Sequence, residues 1–243
     1  MKTFLHYVAQ DIIDKCGTDL SRVVVVFPNK RASLFLNEEL ARCAGRPIWA
    51  PTYLTISDLF RRYSTLTIGD PIKLVCELRK SYVSITGKDE TLDHFFEWGK
   101  LLISDFDDMD KNMADSNKVF ANIANLHEYD DVSYLTDEQK KLLQTFFANF
   151  SEEHNSKLKD LFLSLWNKLG DIYNDFKKRL IEQGVAYEGM LYRDVIDGEI
   201  IKIEFEKYIF VGFNVLQRVE QHLFNFLKSE GWVDFYWDYD KYY

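Results

Sequence analysis

The densest group of side chains able to do chemistry is Asp105-Phe106-Asp107-Asp108-Met109-Asp110, four carboxylates in six residues. Oxygen-rich clusters of this kind hold hard cations, but an EF-hand loop also needs a glycine at the sixth position and a glutamate at the twelfth. The glycine is missing, and the twelfth residue counted from Asp105 is Ser116. The group therefore reads as helix-end charge with solvated side chains. His6, His94, His127, His154 and His222 are scattered without ligand spacing or a Ser/Cys partner motif, so structural or surface roles are expected for them. Cys16, Cys43 and Cys76 show neither a Cys-x-x-Cys pair nor Cys/His ligand spacing, which points to free thiols in a reducing compartment. A phosphate-cradling loop, Gly-x-x-x-x-Gly-Lys-Ser/Thr, needs its glycines so that backbone N–H groups can approach the phosphates, and no such run occurs. Catalytic residues, cofactor and metal are all expected to be absent.

The elements that position these residues begin with Val23-Val24-Val25-Val26-Phe27-Pro28-Asn29-Lys30-Arg31-Ala32. Four consecutive valines cannot alternate between core and solvent, so they suit a central parallel strand covered on both faces. Pro28 ends the ladder for want of an N–H, and Asn29 is a good N-cap for a helix carrying Leu34, Phe35, Leu36 and Leu40. Such a strand–turn–helix edge is where open α/β sheets place their ligands. Ahead of it, residues 4–15 have helical periodicity. After it, a break at Gly45-Arg46-Pro47 leads to an extended Ile48-Trp49-Ala50, and Thr55 or Ser57 starts a further helix.

From about Asp70 the pattern changes. Residues 70–86, 92–106, 136–148 and 156–183 are periodic apolar stretches rich in Leu and Phe, with Trp98 and Trp166 as core anchors and Phe146-Phe147 with Phe150 as a core stripe. Polar loops are expected at Asp107–Asp115 and His127–Ser133. The α/β character returns with a second buried strand in Tyr208-Ile209-Phe210-Val211-Gly212-Phe213. A helix holding Val215, Leu216, Val219, Leu223, Phe224 and Leu227 follows, closed by Gly231, and then a third strand, Val233–Trp237. The expected architecture is a discontinuous α/β core, residues 1–69 and 200–243, with an all-helical insertion at 70–199. The two strands around Val23–Phe27 and Tyr208–Val211 should lie parallel in one sheet. The aromatic end directly after a core strand reads as a cut through a longer polypeptide.

Composition sets the bounds. The chain has 243 residues, 47% of them hydrophobic, which is enough for a large core but offers no apolar run near the roughly 20 residues of a membrane span. With no basic-plus-apolar leader at Met1, a cytoplasmic protein without membrane partners is expected. The net charge of −9 argues against a surface coated for nucleic acid, yet it is unevenly placed. Residues 1–64 carry nine Lys/Arg against six Asp/Glu, whereas residues 89–138 carry three against fourteen. Asymmetry of this size marks either a binding face on the first segment or ordinary solvated surface.

Val26-Phe27-Pro28-Asn29-Lys30-Arg31-Ala32-Ser33, followed by Leu36-Asn37-Glu38-Glu39-Leu40, resembles the segment after the nucleotide-binding loop of UvrD/RecB-type helicases. Pro51 to Phe60 is similar to their next segment, and Tyr208 to Leu227 resembles their second acidic motif as it occurs in AddB-type subunits. Phe235 to Asp240 sits where the following motif's strand would be. The resemblance covers the chain in order and implies a partial P-loop-NTPase-like parallel sheet with an inserted helical subdomain. It departs where chemistry would be done. The loop is missing, and Val211-Gly212 stands where a metal-holding carboxylate is needed for phosphoryl transfer.

The resemblance thus implies an inactivated helicase-like region of an AddB-type helicase–nuclease subunit, not itself an enzyme, that serves double-strand-break end processing and recombinational repair. Its partners would be DNA, single-stranded or a duplex end, and an AddA-type subunit, with a PD-(D/E)XK nuclease domain beyond Tyr243. The segments that meet single-stranded DNA in such helicases hold Asn29, Lys30, Arg31, Thr55 and Ser57 here, with Arg61 and Arg62 one turn beyond. Short polar groups and cations suit phosphate contacts. Against this stands the plainer account in which Asn29 caps its helix and Lys30 and Arg31 are solvated. Two other functional readings are an active ATP-dependent helicase domain with an unrecognised nucleotide site and a helical interaction scaffold with no DNA role.

Overall fold

The computed structural model describes residues 2–120, 165–231 and 233–238. The chain divides into two compact units, Met1–Ser64 with Asp194–Tyr243, and Thr65–Arg193.

In the first unit the valine run forms β1 (Val23–Phe27), with all five residues buried. It pairs in parallel with β2 (Thr52–Thr55) on one side and β5 (Lys207–Val211) on the other, and β5 pairs in parallel with β6 (Val233–Tyr236). The order is β2-β1-β5-β6. The expected parallel pairing of the two buried strands is therefore present, in the register Val24 to Tyr208 and Val26 to Phe210. The inner strands are closed on both faces and the outer strands only half-buried, which is why β1 could be read as an apolar run and β2 could not. One face packs on α1 (Phe4–Cys16) and α2 (Arg31–Ala44) through Val8, Ile12, Val23, Val25, Leu36, Leu40, Ile209 and Val211. On β5, Phe210 takes Phe224 of α8 (Arg218–Ser229) at 4.2 Å between ring centroids. The Tyr208 hydroxyl accepts from Tyr63, the last residue of α3 (Ile56–Tyr63).

Several local expectations are corrected. The extended piece expected at Ile48–Ala50 amounts to one parallel bridge, Trp49 to Asp19, and the strand that joins the sheet runs from Thr52 to Thr55. Val215 and Leu216 precede α8, whose first turn is set by a Gln217–Glu220 capping box, and Val215 is 87% exposed. Gly212, at φ +75°, turns the chain out of β5 with its N–H bonded to the Tyr236 carbonyl. A side chain there would be strained.

The second unit is mainly helical. Asp70 caps α4 (Pro71–Thr86) by accepting the N–H groups of Ile72 and Lys73, and Pro71 occupies the first helical position, where no N–H is needed. Next come α5 (Leu92–Lys111), α6 (Leu169–Glu182) and α7 (Glu188–Asp197), the last of which carries the chain across the division between units. Phe95 and Trp98 of α5 and Tyr82 of α4 form a buried aromatic cluster with centroids 5.2–5.6 Å apart. Trp166 is half-buried. The expectation that 70–199 is all-helical is overturned by β4 (Val185–Ala186), which pairs in parallel with β3 (Thr67–Ile68). Gly184, at φ +66°, ends the preceding helix, and its carbonyl accepts Thr67 N–H to open the ladder. The loop expected from Asp107 is instead the last turn of α5 as far as Lys111. The 136–148 stretch, His127–Ser133 and residues 156–164 lie outside the described residues. Among the described residues no helix is long and apolar enough to cross a membrane.

Candidate nucleic-acid interface

The carboxyl ends of β1 and β2 open into a cleft of about 490 Å³ lined by Phe27, Lys30, Ser33, Tyr53, Leu54, Asp58 and Arg62. Parallel strands followed directly by helices leave such a crevice, because α2 and α3 both rise from that sheet edge. Its apolar side pairs Phe27 with Tyr53 at 6.5 Å between centroids, and the Tyr53 hydroxyl donates to Asn37 at 3.2 Å. Burial holds the Tyr53 phenol well above its ordinary pKa.

The polar side is organised around Asp58. Thr55 is the N-cap of α3, and its hydroxyl accepts the Asp58 N–H at 3.1 Å. The Asp58 carboxylate in return accepts the Thr55 N–H at 3.1 Å and the Thr55 hydroxyl at 2.8 Å, completing a reciprocal box. Lys30 Nζ lies 3.5 Å from the same carboxylate. Burial pushes Asp58 up, but the two Thr55 donors and Lys30 outweigh it, so its carboxyl titrates below the usual range and carries a full charge at neutral pH. Arg62 donates from Nε and Nη2 to Glu204 Oε2, at 3.1 and 2.8 Å, and its guanidinium lies 5.4 Å from the Phe205 ring centre. Each cleft cation thus has an anionic neighbour, yet both stay accessible, with the Lys30 side chain 78% and the Arg62 side chain 45% exposed.

Of the seven residues expected at a DNA contact, Lys30 and Arg62 line the cleft, and Thr55 is tied to it through Asp58. Asn29, Arg31 and Arg61 are exposed and Ser57 is half-buried, none of them lining the cleft. Asn29 is not the N-cap of α2. Lys30 holds that position with helical backbone angles and no side-chain cap bond, and the Asn29 side chain accepts the Arg31 N–H from outside the helix. Ser33, Tyr53, Asp58 and Glu204 were not foreseen. For Asp58 a signal existed in Thr55-Ile56-Ser57-Asp58, the Ser/Thr-x-x-acid pattern of a capping box.

Two further groupings depart from expectation. Asp110 is not a solvated helix-end charge but is wholly buried. Its carboxylate accepts from the Tyr173 hydroxyl at 2.6 Å, the Tyr187 hydroxyl, Lys177 Nζ at 3.1 and 3.2 Å and Arg193 Nη1 at 3.3 Å. Burial, reinforced by the Asp110 charge, holds both phenols well above their ordinary pKa, so they remain donors. Nearby, Lys111 bridges Asp107 and Glu188, and Gly189 donates its N–H to Asp107. These donors offset the poor match between acidic side chains and the negative end of a helix dipole, which is why the helix continues through the aspartates.

The second grouping is His6, Glu39 and Cys43, whose ligating atoms all lie within 4.8 Å of one another. Sequence spacing gives no sign of this group, which forms because α1 and α2 pack side by side.

No protein-family model matches the chain, and no curated protein matches it in sequence.

Proposed function

We propose that this chain is the inactivated helicase-like region of an AddB-type helicase–nuclease subunit, binding the DNA backbone at the carboxyl edge of β1 and β2 and acting with an AddA-type partner in processing broken ends. The observation that carries the reading is the cleft, in which two accessible cations flank a crevice at the edge where the resembling helicases meet single-stranded DNA. Supporting it, the sheet is parallel and Lys30 and Arg31 open α2, where exposed N–H groups favour anions. The contacts available are point charges and hydroxyls, which position a backbone and read no bases. Helicase chemistry is not part of the proposal, since the phosphate loop is missing and β5 ends in Val211-Gly212 with no carboxylate.

Fluorescence anisotropy of labelled single strands over a salt series tests the reading. The Lys30→Ala/Arg31→Ala variant should bind all sequences more weakly, with a salt slope reduced by roughly 0.7 per lost phosphate contact. Unchanged affinity and slope in a folded variant would refute the surface. That outcome would favour the scaffold reading, which rests on Lys30 and Arg62 each already having a carboxylate within the chain. Titration calorimetry with Mg-ATP should give no heat of binding, and a micromolar affinity would sink the inactive assignment.

A further inference from the structure

We infer that His6, Glu39 and Cys43 form a site for one zinc-type divalent cation that clamps α1 to α2. His6 Nδ1 lies 2.9 Å from Glu39 Oε2 and 3.8 Å from Cys43 Sγ, on side chains that arrive from two helices and are all half-buried. A tetrahedral zinc bound at about 2.0–2.1 Å by nitrogen, 2.0–2.2 Å by oxygen and 2.3 Å by sulfur has nitrogen–oxygen and nitrogen–sulfur edges of roughly 3.4 and 3.6 Å. The two distances from His6 Nδ1 are therefore within about half an ångström of those edges, and all three donors lie within 4.8 Å of one another.

Two observations single this group out. First, Glu39 and Cys43 are four residues apart on α2, so they present ligands from one helix face, while His6 comes from the packed face of α1. Second, Arg42 Nη1 holds Glu39 Oε1 at 2.8 Å, which leaves Oε2 aimed at His6 and fixes the carboxylate from behind, as outer-sphere partners of metal ligands do. The mixed nitrogen, oxygen and sulfur set selects a borderline ion such as Zn²⁺ over Mg²⁺ or Ca²⁺, which require oxygen. On binding, Cys43 coordinates as thiolate and its proton passes to solvent, His6 binds as neutral imidazole, and a water completes the four ligands. No electron is transferred.

Cobalt is the probe, because thiolate ligation of Co²⁺ produces a charge-transfer absorption that carboxylate or imidazole ligation does not. The metal-stripped chain carrying Cys16→Ser and Cys76→Ser keeps Cys43 as its sole thiol. On titration with Co²⁺ it should develop that band with saturation at one equivalent, and Zn²⁺ should abolish it. In the same background Glu39→Gln and His6→Ala should each weaken Co²⁺ binding by at least about tenfold. Circular dichroism checks that each variant is folded, and a Zn²⁺-dependent rise in the melting temperature of the unaltered chain gives a readout independent of any substitution. No band in the folded single-thiol protein, or a band indifferent to both His6→Ala and Glu39→Gln, overturns the site.

Discussion

In the sheet unit, Arg62 and Lys30 rest against Glu204 and Asp58 with their side chains 45% and 78% exposed. In the helical unit, Lys177 and Arg193 meet an Asp110 that is completely enclosed. The residue types are the same and the roles are opposite. An ion pair in water exchanges partners at little cost, since such pairs are worth about 0–1 kcal/mol, and a phosphate can take the place of the carboxylate. A carboxylate out of water must keep every donor, because removing one side of the arrangement leaves buried charge uncompensated. The first arrangement is suited to binding, the second to holding α5, α6 and the β4–α7 segment in one geometry.

The comparison can be broken first at Asp110. Asp110→Ala should destabilise the helical unit by about 3–5 kcal/mol, as loss of a buried partner does, and urea unfolding followed by circular dichroism would register it. A loss below about 1 kcal/mol would mean that the enclosed cluster behaves like a surface pair. Next in size, Lys30→Ala with Arg31→Ala should lower single-strand affinity about tenfold at physiological salt, following from two contacts at a slope of roughly 0.7 each.

Smaller effects sharpen the contrast. Thr55→Ala removes both hydroxyl bonds of the α3 box, leaving only the backbone N–H of residue 55 on Asp58, and should cost about 1 kcal/mol. Because Asp58 titrates below the ordinary aspartate value of 3.8, its contribution to stability is complete above that value and disappears as the pH falls below it. Unfolding of Thr55→Ala and the unaltered chain compared between pH 7 and pH 3 should therefore show the difference narrowing toward acid. Smallest of all, Glu204→Gln should change stability by less than about 1 kcal/mol while strengthening DNA binding, since it releases Arg62. Weaker binding in that variant would show that the pair pre-positions the guanidinium.

Legibility in the sequence followed the range of the interactions. Val23–Phe27 and Tyr208–Val211 could be read as buried strands because hydrophobic runs report burial residue by residue, and their parallel pairing followed from chain order. The periodic apolar stretch beginning near Asp70 likewise marked α4. The Asp105–Asp110 run misled for the opposite reason. Its partners Tyr173, Lys177, Tyr187 and Arg193 lie 63 to 83 residues away in sequence, and nothing local distinguishes a carboxylate awaiting four donors from one facing water.

The amino-acid sequence by itself determined the α/β character, the buried inner strands and the separation of a helical stretch from the sheet, all of which rest on local periodicity and backbone chemistry. Tertiary structure alone decided which charges are spent and which stay available. It put Asp58 beneath Lys30, Glu204 beside Arg62, four donors around Asp110, and His6 against Glu39 and Cys43. Electrostatic roles depend on distance and on the exclusion of water, and both are settled only when segments far apart in the chain pack together.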